Sequence, residues 1–68
     1  MSDVIRINGQ VEPFAGGSIA AFIEARGLAG KRGVAIAVNG MVVPARLWQE
    51  TRLAAGDEVE IVRPFGGG

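Results

Sequence analysis

Polar and apolar residues alternate from Asp3 to Asn8, with Ile5 and Ile7 on one side and Val4, Arg6 and Asn8 on the other. A period of two predicts a strand with one buried face. Asn8-Gly9 follows at once. Both central residues of a type I′ turn need positive φ, which this dipeptide supplies, so Gln10 to Phe14 is the returning strand of a hairpin. Pro13 belongs near the end of that strand or on a sheet edge, where its missing N–H does little harm. Beyond Ala15-Gly16-Gly17 the period changes. Ser18 stands where a helix cap belongs. Ile19, Phe22 and Ile23 then fall at i, i+3 and i+4 and share one helical face, while Glu24 and Arg26 point outward. Gly27 is placed to stop this helix, with Leu28 tucking back under its last turn.

Ala29-Gly30-Lys31-Arg32-Gly33 predicts a loop, and its adjacent cations read as a solvated turn rather than a binding site. Val34 to Val38 is apolar on both sides, as in a central strand, with Val34, Ile36 and Val38 on one side. Ala35 and Ala37 are small enough to let a helix or strand approach closely on the other. Asn39-Gly40 signals a second hairpin with Met41-Val42-Val43 returning, stopped by Pro44. Ala45 to Glu50 makes a helical turn through which Leu47 and Trp48 cap the core. Gly56-Asp57 is a turn, and from Glu58 to Arg63 the alternation resumes with Val59 and Ile61 inward. Strands folded over one crossover helix predict an α+β two-layer domain, a small mixed sheet packed on one helix.

Composition narrows what such a domain can do. At 68 residues it is a single small unit, and a chain this short buries only about 60% of the surface it exposes when unfolded. The large apolar residues are therefore committed to the core, with little interior left for a cofactor. The chain has no cysteine and no histidine, which removes thiolate nucleophiles, imidazole bases and the usual transition-metal ligands. Seven Lys and Arg balance seven Asp and Glu, against a nucleic-acid binder, which needs a basic face. Met1 to Val4 shows no secretory n-region, and Val34 to Val38 is far too short to cross a bilayer. The expectation is a cytoplasmic protein that is not an enzyme, without membrane attachment.

The end of the chain carries the candidate chemistry. Arg63-Pro64-Phe65 leads from the last strand to Gly66-Gly67-Gly68. Glycine packs nothing and loses most freedom on ordering, so a flexible tail is expected at 66–68, following a domain at 1–65. With no Cβ it is narrow enough for a tunnel, and fully extended it reaches about 10 Å. The free carboxylate of Gly68 would then be the reactive group. Glycine-rich ends without any role are the plainer alternative.

The order of elements with a Gly-Gly end resembles the β-grasp fold of ubiquitin-like proteins. Val38-Asn39-Gly40, Val43-Pro44, Trp48, Thr51, Leu53, Gly56-Asp57, Val59-Glu60-Ile61-Val62 and Gly67-Gly68 resemble, more narrowly, the ThiS family of sulfur carriers in thiamine biosynthesis. The likeness covers most of the chain from Val34 onward, whereas Asp3 to Arg32 matches in pattern and spacing.

This resemblance implies a carrier whose Gly68 carboxylate is adenylated and converted to a thiocarboxylate, with Gly67 entering the partner's active site and Gly66 given no chemical role. It implies a ThiF-like adenylating enzyme, a ThiG-like thiazole synthase, and a cysteine desulfurase or persulfide carrier as sulfur donor. It implies no cofactor or metal of the carrier's own and a monomer when free. Val62 and Phe65, with Met41 or Val43, make either an apolar docking patch or part of the core; the pattern leaves both open. Arg63 could steer toward an acidic partner. The rivals are the small subunit of molybdopterin synthase, a ubiquitin-like protein modifier, and a purely structural module. The segment Pro44 to Trp48 favours ThiS over the first, and a single lysine, Lys31, disfavours chains of the second.

Overall fold

The computed structural model describes residues 3–30 and 32–63. Strands β1 (Val4–Ile7) and β2 (Gln10–Pro13) form the first hairpin, followed by helix α1 (Ile19–Ala25). Strands β3 (Ala35–Val38) and β4 (Met41–Val43) form the second, a 3₁₀ turn spans Ala45–Leu47, and β5 (Glu58–Val62) comes last. The sheet order is β2-β1-β5-β3-β4. Both hairpins are antiparallel, β5 is antiparallel to β3, and β5 is parallel to β1. This is the expected β-grasp arrangement, with the last strand at its centre.

The Asn-Gly turns have the predicted geometry: φ is 50° and 87° at Asn8 and Gly9, and 51° and 85° at Asn39 and Gly40. Helix α1 is held at both ends. Ser18 caps it, its Oγ accepting from the Ala21 N–H at 3.1 Å. At the other end the Leu28 N–H donates to the Ile23 carbonyl and that of Gly27 to Glu24. These are the two bonds of a Schellman motif, with Gly27 at φ 75° as its left-handed residue. Leu28 is buried beneath the turn, as the pattern predicts.

The core is Ile5, Ile7, Ile19, Ile23, Leu28, Ile36, Leu53 and Val59, joined by half-buried Phe14, Phe22, Val34, Val38, Val43, Trp48 and Ile61. It lies between α1 and one face of the sheet. Trp48 packs against it, and its indole Nε1 donates to the Val43 carbonyl at 2.8 Å.

One expectation needs correction, and one open alternative is decided. Ala35 and Ala37 face the side of the sheet opposite the core, and among the described residues no element covers them. The larger Ile36 and Val38 on the other face take the single helix, since they bury more area per residue. Of the two readings left open for Val43, docking patch or core, the fold gives the core, where it lies beside Ile36 and Ile61.

Candidate functional site

The residues that lead into the proposed reactive end are those of β5. Its alternation sends Val59, fully buried, and Ile61, half-buried, toward α1, leaving Glu58, Glu60 and Val62 on the helix-free face. Between β1 and β3 the strand has a partner on each side. The segment toward the C-terminus thus leaves from the central strand of the sheet. Gly67 and Gly68, with Pro64, Phe65 and Gly66, lie outside the described residues, as does Lys31.

Around the end of β5 the fold brings together residues far apart in sequence. On the β3 side the ladder runs through Ala35 opposite Val62. On the β1 side it ends with Ile7 opposite Val59, followed by a bond from the Asn8 N–H to the Val59 carbonyl at 2.9 Å. There β1 turns into its hairpin, and the Asn8 side chain takes over. Its Oδ1 accepts from the Ile61 N–H at 2.8 Å, and its Nδ2 donates to the Ile61 carbonyl at 3.3 Å. Beside this contact lies a small open groove of about 120 Å³, lined by Ile7, Asn8, Arg26, Leu28, Ile61 and Arg63. The Arg26 guanidinium sits 4.8 Å from the Phe22 ring centroid and pairs with Glu12. Arg63 is exposed at the groove's edge, where the chain leaves the sheet.

Asn39, in the second hairpin, holds the opposite end of β5. Its Oδ1 accepts from the Glu58 N–H and its Nδ2 donates to Asp57 Oδ1, both at 3.0 Å. Sequence reasoning uses both asparagines as turn formers and misses these bonds. The signal was the amide: Asp-Gly or Gly-Gly would turn the chain as well, but neither side chain both donates and accepts.

The helix-free face carries exposed Val4, Val11, Val42 and Val62 among Arg6, Glu58 and Glu60. Val62, exposed at 60%, is therefore surface rather than core; its cross-strand neighbour on that face is Ala35, and Val42, exposed at 73%, lies two strands away, opposite Ala37. Met41 is exposed too, but the register puts it on the other face, beside Val38. Among the described residues no group of acidic residues is placed to hold a metal ion, and no helix is long and apolar enough to cross a membrane.

The comparisons with known proteins agree with this fold. The crystal structure of thiamine biosynthesis protein ThiS from Geobacter metallireducens superposes with a TM-score of 0.80 at 24% identity, over 96% of this chain and 99% of that one. The solution structure of a thiamine biosynthesis protein from the same organism gives 0.76 at 25% identity, over 100% of this chain and 88% of that one. No curated relative matches. The ThiS family profile matches residues 5–68, from the first core residue of β1 through Gly67 and Gly68. The chain therefore belongs to the ThiS family.

Proposed function

We propose that this protein is a sulfur carrier of thiamine biosynthesis, and that the Gly68 carboxylate is the atom group on which it carries sulfur. The observation that carries this reading is the family match, which runs from Ile5 in the sheet to Gly68. It is supported by a doubly paired central strand feeding directly into that segment. The carrier contributes an activatable carboxylate and a docking body, and the chemistry belongs to its partners.

In the first step a carboxylate oxygen of Gly68 attacks the α-phosphorus of ATP on a ThiF-like enzyme, and pyrophosphate leaves. The mixed anhydride makes the carbonyl carbon electrophilic. The terminal sulfur of a persulfide, supplied by a cysteine desulfurase or a carrier loaded by one, attacks that carbon and AMP leaves. A thiol then supplies the two electrons that break the S–S bond, freeing the thiocarboxylate. The thiocarboxylate passes its sulfur to a ThiG-like thiazole synthase. Gly67 serves this scheme because backbone without Cβ can approach a bound nucleotide closely.

The test is intact-mass measurement, with fragmentation of the terminus, on chain ending at Gly68 and purified from cells that make thiamine. The expected species has one oxygen of Gly68 replaced by sulfur. Gly67→Val should lower adenylation by a partner enzyme at least about tenfold while leaving the thermal unfolding midpoint unchanged. A carboxylate that stays unmodified with ATP and the adenylating enzyme would sink the proposal. Attachment of Gly68 to lysine would replace it with a protein modifier.

A further inference from the structure

We propose that Asn8 is a positioning residue for the C-terminal segment: its carboxamide acts as a one-residue extension of β1 that sets where β5 ends and the reactive segment begins. The inference rests on the sulfur-carrier reading for its consequence, but not for its geometry.

Strand β5 outruns β1. The Ile61 N–H and C=O both point to the β1 side, where β1 has already turned away. A primary carboxamide has the same donor and acceptor as a peptide unit, and that of Asn8 fills this place, bonding to both groups across 53 residues of sequence. With Ala35 holding Val62 on the other side, Arg63 becomes the first residue beyond both neighbours. Without the amide, Ile61 and Val62 would be held from the β3 side alone.

That difference matters for a chain whose terminal atoms must reach a distant active site. A root fixed at Arg63 confines the search of the terminal carboxylate; a root that frays back to Ile61 adds residues that must be ordered on each encounter. Ordering even one backbone residue costs about tenfold in an equilibrium constant. The loss should therefore be seen in kcat/KM for the carrier rather than in the integrity of the fold.

Asn39 supplies the control. It has the same turn conformation, with φ 51°, the same glycine after it, and a side-chain amide bonded to β5, but at the strand's beginning. Asn8→Gly and Asn39→Gly both keep positive φ accessible and both remove bonds to β5, so a purely structural contribution would be common to the two.

The experiment compares these variants with wild type, and with Asn8→Asp, which keeps the acceptor for the Ile61 N–H and loses the donor. Amide hydrogen exchange at Ile61 and the kcat/KM of adenylation are measured well below the unfolding midpoint. Asn8→Gly should speed Ile61 exchange and lower kcat/KM, each about tenfold, with Asn8→Asp between it and wild type. Asn39→Gly should match wild type in both. Unchanged Ile61 exchange in Asn8→Gly, or an equal loss of kcat/KM in Asn39→Gly, overturns the proposal. Failure of the wild-type chain to be adenylated overturns the function proposed above; the anchor is then decided by Ile61 exchange alone.

Discussion

Single residues at the ends of α1 do more than their size suggests. The helix has only seven residues, and isolated helices of that length are unstable in water. Its first N–H groups each find an acceptor: Ile19 donates to the Thr51 carbonyl at 2.8 Å, Ala20 to Trp48 at 3.0 Å, Ala21 to Ser18 Oγ, and Phe22 to the Ser18 carbonyl. Ser18→Ala removes one of these acceptors and should cost about 1 kcal/mol, read as a lower urea midpoint with an unchanged slope. Gly27→Ala should cost about the same for a different reason. A Cβ there meets nothing within 4 Å, so the penalty is the left-handed backbone alone. Both roles are legible in the sequence, because a cap before an apolar helical face and a glycine after it are local signals. The acceptors from Thr51 and Trp48 are not, since they come from a loop with no regular pattern.

Among the elements, the segment after β4 links the two halves of the fold. Its 3₁₀ turn brings Trp48 against the core, and the loop beyond it runs past the start of α1, where Ser18 bridges to Arg52 and the Leu53 N–H donates to the Gly17 carbonyl. Thr51 Oγ1 closes this loop on the Leu47 carbonyl at 2.8 Å. Trp48→Phe keeps an aromatic ring but leaves the Val43 carbonyl without its indole donor, so it should destabilise the domain by about 1 kcal/mol. Chemical unfolding followed by circular dichroism checks this, since the variant lacks the only tryptophan. The pattern predicts Trp48 as a core residue, and it is one. Its hydrogen bond across the β4 edge depends on how the 3₁₀ turn folds back, which periodicity does not encode.

For the molecule as a whole, smallness is the dominant fact. A domain of this length has about 3–10 kcal/mol of total stability, and its core is one contiguous cluster built around α1. Ile19, completely buried at the start of the helix, belongs to that cluster, and its N–H donates to the Thr51 carbonyl of the returning loop. Ile19→Ala should cost about 3 kcal/mol, a large share of the total, and calorimetry should show a fall in the unfolding midpoint of 10 °C or more, on the order expected for a 60–100-residue domain. Changes near the C-terminus belong to another class, because Gly67 and Gly68 come after the last core residue among those described and have no side chain to bury. Stability and carrier activity should therefore be separable by mutation.

Period and turn chemistry alone determine the elements: two Asn-Gly hairpins, one capped helix, and a final alternating strand are each specified by residues within a few positions of one another. The absence of cysteine and histidine likewise limits the chemistry of the chain's own side chains without reference to any contact. Tertiary structure decides the rest. It places β5 between β1 and β3, because parallel pairing with β1 is a contact between the two ends of the chain that no local signal carries. It assigns Ala35, Ala37, Val42 and Val62 to the face opposite the helix, because one helix covers only one side of a sheet. It also turns Asn8 from a turn former into a partner for Ile61, since a side-chain amide acquires that role only when a strand more than fifty residues away arrives beside it.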